Sequence, residues 1–177
     1  MEESELLKRY AAGQRDFRGI YLCGADLREA ELAGVNFDGA NLAGANLAAA
    51  CLAKASIRWA ILVSTVLFGA TLHHADFRHS NLFGANLQFA SLDDADLRCA
   101  QLEDADLSNC NLRAANLSEA KLFGSCLFAA DLRSACICYS DLRIADLRNA
   151  NITGASWTGT DRRNIIWTER DLWHKLR

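Results

Sequence analysis

The feature that most constrains the fold of this chain is a large apolar residue at every fifth position. From Phe17 to Trp157 there are 29 consecutive sites at this spacing, and all except Trp157 hold Leu, Phe or Ile. On an α-helix a five-residue step advances by about 140° and carries these sites around the axis, and on a long strand it alternates faces. A simple amphipathic helix or strand is therefore excluded, and the chain is expected to turn after each short extended piece.

The other four positions of each repeat support this interpretation. The residue two before the apolar site is Ala at 21 of 28 sites, which indicates a second inward position with little room. The residue just before it is Asp or Asn at 16 of 29 sites, and these types hydrogen-bond to nearby backbone in turns. Ten of the eleven glycines lie two residues after it, where a tight turn can require positive φ. Proline is absent, as expected where backbone N–H groups donate along stacked strands.

A coarser period of 20 residues is visible within the apolar sites. Every Phe at these sites, together with Trp157, falls on one 20-residue lattice, so four repeats form one coil. Strands stacked about 4.8 Å apart then give about seven coils and a rod roughly 35 Å long. The sequence predicts an all-β solenoid, with these centre residues named as its core: Phe17, Leu22, Leu27, Phe37, Leu47, Phe77, Leu87, Leu97, Leu107, Leu117, Leu127 and Leu147.

The repeat pattern A(D/N)LxG resembles the pentapeptide-repeat family over residues 16–159. It is carried by stretches such as ADLRE at 25–29, ANLAG at 40–44 and ANLQF at 85–89. The resemblance implies a right-handed quadrilateral β-helix with a solid core, four faces and type II or type IV turns at its corners. The opening from Leu6 to Gly19 is similar to one common in cyanobacterial members, which implies a cyanobacterial relationship.

Short helical caps are predicted at both ends, which gives three segments. Residues 1–15 are an N-terminal capping helix, with its helical part over 2–12 and Glu5 and Arg9 spaced for an ion pair. Residues 16–159 are the repeat, which ends because Arg162 breaks the spacing. Residues 160–177 are a C-terminal cap, in which Thr168 begins a helix over 169–176. Such caps cover the apolar core and unpaired strand edges of an open solenoid end.

Composition excludes several classes of function. The net charge of −3 gives no basic footprint for nucleic acid, so direct nucleic-acid binding is not expected. The longest apolar-rich run, Trp59–Leu72, is too short for a membrane span, and the acidic start differs from a signal peptide. The chain is therefore expected to be cytoplasmic, with no membrane association.

No nucleotide-binding loop, nucleophile elbow, zinc motif or carboxylate pair in a cleft is present, and a non-enzyme without cofactor, metal or catalytic residues is predicted. Seven cysteines are interpreted as reduced thiols, with Cys110 inside and the others outside. Cys136 and Cys138 flank an inward Ile and would share one side of a coil, where they could bind a soft metal. His73 and His74 should lie one coil below Asp93 and Asp94. That group is interpreted as a surface ion-pairing group rather than as a metal or acid–base site, because a convex face offers no pocket.

Two outward surfaces are candidates for contact with a partner. The first is an apolar surface on two adjoining faces, formed by Ile61, Val63, Val66, Phe68, Phe83, Phe89, Phe123 and Phe128. The alternative interpretation of these residues is that their side chains only pack on one another along the stack, as a ladder. The second is a basic column formed by Arg58, Arg78 and Arg98 beside Trp59. Because Asp76 and Asp96 are two residues from Arg78 and Arg98, this column is expected to neutralise itself.

The sequence favours a rigid protein–protein interaction module or scaffold with an unidentified partner. The chain could also form a homodimer, through an end cap or through the apolar face. The alternative function is a DNA mimic that binds DNA gyrase or another topoisomerase, by resemblance to the quinolone-resistance and gyrase-inhibitor proteins of the family. The resemblance implies that those proteins present an acidic face to gyrase, whereas this chain mixes Arg with Asp on its outward positions. A third hypothesis is a stable rod without a dedicated partner.

Overall fold

The backbone of this protein is a stack of short parallel segments. A computed structural model describes residues 2–168, and in these residues 27 isolated parallel β-bridges each join a residue to the one twenty positions later. The first bridge pairs Asp16 with Asn36 and the last pairs Asp146 with Ile166. Since bridges recur every five residues, four of them form each coil, and the described chain is a β-solenoid.

Each repeat closes on a tight turn that begins at its apolar centre. In the second repeat the carbonyl of Leu22 accepts from the N–H of Ala25 at 3.1 Å, and the intervening Gly24 has φ of 66°. This combination of a four-residue hydrogen bond and positive φ at the third residue is the type II pattern. The N–H of Gly24 donates to Ala43 of the next coil at 2.9 Å, so the turn is tied to the stack.

The two inward positions of each repeat fill the interior. All twelve residues named above as the core are at most 3% exposed, and most of the Ala residues between them are also buried. Hydroxyl groups that replace Ala are satisfied within the stack. Thr65 donates to the carbonyl of Leu42 at 2.9 Å and Ser80 to that of Phe77 at 2.7 Å. The interior is therefore packed by side chains along its length.

One α-helix, α1 (Glu3–Ala11), precedes the solenoid. Its Leu6 is fully buried in the core cluster, and its Glu5 and Arg9 form the ion pair expected from their spacing, at 2.6 Å. Two further contacts hold it to the first coil: the Tyr10 hydroxyl donates to the carbonyl of Ala33, and a Glu3 carboxylate oxygen accepts from the N–H of Asp26, each at 2.8 Å. The helix thus lies against the open edge of the solenoid.

The bridge pattern continues past residue 159, where the sequence predicts that the repeat ends. Bridges pair Asp141 with Asp161 and Asp146 with Ile166, although exposed Arg162 occupies an apolar site. Backbone hydrogen bonds to the preceding coil do not depend on the side chain at that site: the N–H of Leu142, for example, donates to the carbonyl of Asp161 at 2.9 Å. The helix predicted over 169–176 lies outside the described residues.

A search of residues 2–168 for membrane-spanning helices found none of sufficient length and apolar character.

Candidate interaction surface

A group of exposed apolar side chains lies on two adjoining faces of the solenoid. Ile61 is 42% exposed, and the Phe residues at 68, 83 and 89 are 44, 45 and 57% exposed. Val63 and Val66 lie beside them and are half-buried. The ring of Phe68 packs edge-on against that of Phe89 with centroids 5.5 Å apart. These residues form what we call the six-residue apolar cluster: Ile61, Val63, Val66, Phe68, Phe83 and Phe89.

Phe123 and Phe128, which the sequence grouped with this surface, are separated from it. Half-buried Glu103 lies between Phe83 and Phe123 in their column, and polar Gln88 and Ser108 follow Phe68 in the other. Coils are about 4.8 Å apart, so two coils place these rings beyond contact. Polar side chains in the intervening coils therefore interrupt the patch of eight residues that the sequence predicts.

An arginine side chain lies near each of the two separated rings. The guanidinium carbon of Arg143 lies 5.4 Å from the Phe123 ring centroid, and that of Arg148 lies 5.9 Å from the Phe128 centroid. Both distances allow a cation–π contact. Each arginine is twenty residues after its phenylalanine, so the coil period places the two residues in adjacent coils.

A carboxylate at the edge of the cluster was also not singled out by the sequence analysis. One oxygen of Glu103 is buried without a hydrogen-bond partner in the described residues. Its place in the column follows from the 20-residue period, but the orientation that buries this oxygen depends on side-chain packing and has no sequence signature.

The basic column carries little free positive charge. The Arg58 guanidinium donates to the Asp38 carboxylate, and Arg78 and Arg98 pair with Asp76 and Asp96 at 2.7 and 2.6 Å. Longer contacts join successive coils, from Arg58 to Asp76 at 3.8 Å and from Arg78 to Asp96 at 3.5 Å. The pairing expected from the two-residue spacing is therefore present, and each arginine has a carboxylate partner.

Trp59 lies beside this column and offers an aromatic face. Its ring stacks in parallel on His79 with centroids 5.8 Å apart, and the Arg58 guanidinium lies 5.1 Å from its centroid. Trp59 is 57% exposed. Because its arginine neighbours are paired with aspartates, this secondary surface is polar and electrically balanced.

The His73 and His74 group does not assemble as a metal site. The N–H of His74 donates to the backbone carbonyl of Asp93 at 3.0 Å, which places the two coils in the expected register. The Asp93 carboxylate instead accepts from Ser91 at 2.6 Å and from Asn111 at 3.2 Å. Across the described part of the chain, no group of three metal-ligating side chains converges.

An open cavity of about 650 Å³ lies at the C-terminal end of the described solenoid. Trp157, Arg162 and Trp167 are among its lining residues, and the two Trp rings have centroids 6.5 Å apart. This space belongs to the last coil rather than to the packed interior.

Comparison with protein families identifies the repeat. The model described as "Pentapeptide repeats" matches eight copies in overlapping segments, over 16–53, 25–62, 60–98, 90–133 and 125–161. Together these segments cover the chain continuously from 16 to 161. A search of curated proteins found no match.

Solved structures with the same repeat resemble this chain along most of its length. QnrB1, described as a plasmid-mediated fluoroquinolone resistance protein, is 19% identical, with 91% of this chain and 89% of that chain covered and a TM-score of 0.77. HetL, described as involved in heterocyst differentiation regulation in the cyanobacterium Nostoc sp. strain PCC 7120, is 28% identical, with 94% of each chain covered and a TM-score of 0.44. Rfr23 from the cyanobacterium Cyanothece 51142 is 21% identical, with 93% and 99% covered and a TM-score of 0.37. The likeness to QnrB1 establishes a shared fold and nothing more specific.

Proposed function

Since this chain belongs to the pentapeptide-repeat family, we propose that it is a non-catalytic interaction module that binds a protein through the six-residue apolar cluster. The solenoid that presents this cluster is proposed to be a right-handed quadrilateral β-helix of about seven coils, closed by helical segments at its ends. The observation that carries the proposal is the grouping of four large apolar side chains, each more than 40% exposed, on two adjoining faces. Apolar patches of this kind commonly mark contact surfaces.

The backbone beneath the cluster supports this role. The N–H groups of Leu62 and Leu67 donate to Asn81 and Asn86 of the next coil, each at 2.7 Å, and the N–H of Ile61 donates back to Ala40 at 2.9 Å. A surface fixed by hydrogen bonds in both directions loses little conformational entropy when it binds, so more of the contact free energy remains as affinity.

The competing proposal, a DNA mimic directed at gyrase, requires a face with unbalanced negative charge. The arginine-paired aspartates include Asp16, Asp26, Asp131 and Asp146, with arginine–carboxylate distances of 2.5 to 2.7 Å. These pairs balance charge along the faces, which favours the apolar cluster. The resemblance of the repeat to quinolone-resistance and gyrase-inhibitor proteins makes gyrase the enzyme to test directly.

The decisive variant is Phe83→Asp, which places a charge within the cluster. The control is Tyr21→Asp, because Tyr21 lies on the same face outside the cluster and is 73% exposed. Wild type and both variants are used to capture proteins from the source cells, after circular dichroism has shown an unchanged fold. We expect Phe83→Asp to weaken binding by about 30-fold or more, as for a central contact residue, and Tyr21→Asp to bind normally. Equal binding by wild type and Phe83→Asp would contradict the assignment.

Two further measurements separate the alternatives. Sedimentation at increasing concentration identifies a second copy of the chain as the partner if the wild type dimerises and Phe83→Asp does not. A gyrase supercoiling assay, with and without a quinolone, tests the competing proposal. Inhibition or protection that survives Phe83→Asp would favour the DNA mimic over the apolar interface.

A further inference from the structure

Two cysteine thiols face each other on the outside of one repeat. Cys136 and Cys138 flank the buried centre residue Ile137, and their sulfur atoms are 3.2 Å apart. Both side chains are half-buried at the surface, so neither is enclosed in the core. Their proximity follows from the extended backbone, which directs residues two apart to the same side.

The backbone at this pair is tied on both sides. The N–H of Cys136 donates to the carbonyl of Ala115 in the preceding coil at 3.0 Å, and the N–H of Ile137 donates to Ser156 in the following coil at 2.8 Å. The two thiols are therefore held close by the stack itself.

Serine hydroxyls from the neighbouring coils flank the sulfur atoms. The Ser118 hydroxyl oxygen lies 3.1 Å from the Cys136 sulfur, and the Cys138 sulfur lies 3.4 Å from the Ser156 hydroxyl oxygen. Ser118 also lies 2.7 Å from the side-chain oxygen of Asn116 and has one proton to donate. A thiolate at Cys136 is the stronger acceptor, so ionisation of Cys136 would draw that proton toward its sulfur.

These contacts distinguish Cys136 from other cysteines of the chain. The hydrogen bond with Ser118 lowers the pKa of the Cys136 thiol below its ordinary value. Burial instead raises the pKa of Cys126 and Cys99, and raises that of fully buried Cys110 to about 12. Since the thiolate is the reactive form, Cys136 is favoured as the nucleophile.

A metal chelate fits the same sulfur atoms less well. Two sulfurs at about 2.3 Å from a tetrahedral metal lie roughly 3.8 Å apart, and a structural site uses four ligands. The observed separation is shorter, and no third metal ligand joins the pair in the described residues.

We propose that Cys136 and Cys138 form a redox-active dithiol that exchanges with small-molecule disulfides such as oxidised glutathione. The Cys136 thiolate attacks one sulfur of glutathione disulfide, which forms a mixed disulfide and releases one glutathione thiolate that takes up a proton. Cys138, after losing its proton, attacks the Cys136 sulfur and releases the second glutathione. The protein dithiol is oxidised to one intramolecular disulfide, and glutathione disulfide is reduced to two glutathione molecules.

The disulfide is expected to be readily reversible. Residues two apart on an extended strand have Cα atoms about 6.6 Å apart, near the upper end of the range that a disulfide spans, and strained disulfides are more easily reduced. The site would therefore cycle between its two states with reduced and oxidised glutathione.

The test uses the whole reduced protein, incubated in buffers of increasing oxidised-to-reduced glutathione ratio and then quenched by thiol alkylation. Trypsin cleavage after Arg133 and Arg143 yields the peptide 134–143, which contains Cys136 and Cys138 and no other cysteine. The peptide 122–133 contains Cys126 alone and serves as the internal control. We expect 134–143 to carry no alkyl group, and to be two hydrogen atoms lighter than the free dithiol peptide, at ratios where Cys126 remains alkylated. The peptide should be alkylated twice again when reduced glutathione is restored.

Two variants test the order of attack. Cys138→Ser should abolish the intramolecular disulfide and leave glutathione attached to Cys136, whereas Cys23→Ser should oxidise like the wild type. Ser118→Ala should slow alkylation of Cys136 without changing that of Cys126. Peptide 134–143 that stays fully alkylated across the range, or oxidation of Cys126 at the same ratio, would overturn the proposal. These readouts do not involve the apolar cluster, so they stand apart from the proposed protein-binding function.

Discussion

At the residue scale, the most demanding feature of this solenoid is the positive φ at the second residue after each apolar centre. Glycine at this site, as at Gly44 with φ of 65°, adopts the conformation without steric cost. Glycine is the residue expected at positive φ, yet Ala49 has φ of 57° at the same site, and nineteen other described residues that are not glycine also have positive φ. Hydrogen bonds to the neighbouring coils hold the backbone in this conformation, so a residue other than glycine adopts it at a steric cost.

Exchange of glycine and alanine at this site should change stability in opposite directions. Left-handed backbone costs an L-residue about 1–2 kcal/mol, and the greater freedom of unfolded glycine offsets part of this. We therefore expect Ala49→Gly to raise the unfolding free energy by about 1 kcal/mol and Gly44→Ala to lower it by a similar amount. A Cβ at Gly44 meets no atom within 4 Å, so no steric clash adds to the backbone cost of Gly44→Ala. Ala43→Gly, one residue earlier and outside the positive-φ positions, should destabilise. Urea unfolding measures all three, and destabilisation by Ala49→Gly would contradict this account.

The residue scale also shows what the sequence could and could not supply. The period of five placed Leu87 and Leu97 inside because each repeat has one large inward position, and both are fully buried. It could not place the Arg143 guanidinium over the Phe123 ring, because the conformation of a long side chain is chosen by its local surroundings. The division of the apolar surface at Glu103 could be read from the 20-residue period, but the unpartnered carboxylate oxygen could not.

At the scale of the element, the two ends differ in how far the sequence determined them. The N-terminal helix was predicted over 2–12 and spans Glu3–Ala11, since charge placement and the following Gly13 mark its limits. At the other end, the change of composition at Arg162 suggested that the repeat had ended, whereas bridges continue to Ile166. Side-chain periodicity reports what fills the core, and a terminal segment can pair through its backbone without filling it.

The helix α1 is expected to protect the first coil. In the next coil the N–H of Asn46 donates to Ala25, but Asp26, with no coil before it, donates to the Glu3 carboxylate. Leu6→Asp should detach the helix, because Leu6 is fully buried, whereas Leu7→Asp should be tolerated at 38% exposure. We expect faster hydrogen exchange at the Asp26 amide and a lower melting temperature for Leu6→Asp only. Equal effects of the two variants would show that the helix does not protect this edge.

At the scale of the whole molecule, ion pairs extend across coils as a ladder. Asp38, Arg58, Asp76, Arg78, Asp96 and Arg98 form successive contacts of this ladder. Exposed single pairs contribute little to stability, but networks of partly buried pairs can contribute more. Asp38 is the most enclosed member, with a side chain only 9% exposed. Its carboxylate accepts hydrogen bonds from the Ser56 hydroxyl at 2.6 Å and from the Arg58 backbone at 3.0 Å, besides the guanidinium.

The ladder makes acid stability a property of the assembled coils. Burial by itself would raise the pKa of Asp38, but the hydrogen bonds from Arg58 and Ser56 outweigh it and the pKa is lowered. Near the last bridge, the Arg163 guanidinium lowers the pKa of Asp161 to about 2. Because a carboxyl group with a lowered folded pKa binds protons first in the unfolded chain, its stabilisation is present above its ordinary pKa of about 4 and is lost as pH falls toward the folded value. The melting temperature should therefore decline mainly between about pH 4 and pH 2.

The contribution of Asp38 to that decline can be isolated by replacing its charge while keeping its shape. Asp38→Asn should lower the melting temperature at pH 7, because Arg58 loses its closest carboxylate partner, and should make the decline below pH 4 shallower than in the wild type. The control is Asp94→Asn, since Asp94 forms no ion pair within residues 2–168 and lies at an exposed turn. Thermal unfolding by circular dichroism from pH 2 to pH 7 distinguishes the variants. If Asp38→Asn and Asp94→Asn follow the same pH profile, the inter-coil pairs add nothing beyond the backbone stack, and the rigidity on which the proposed binding surface depends comes from backbone hydrogen bonds and the core alone.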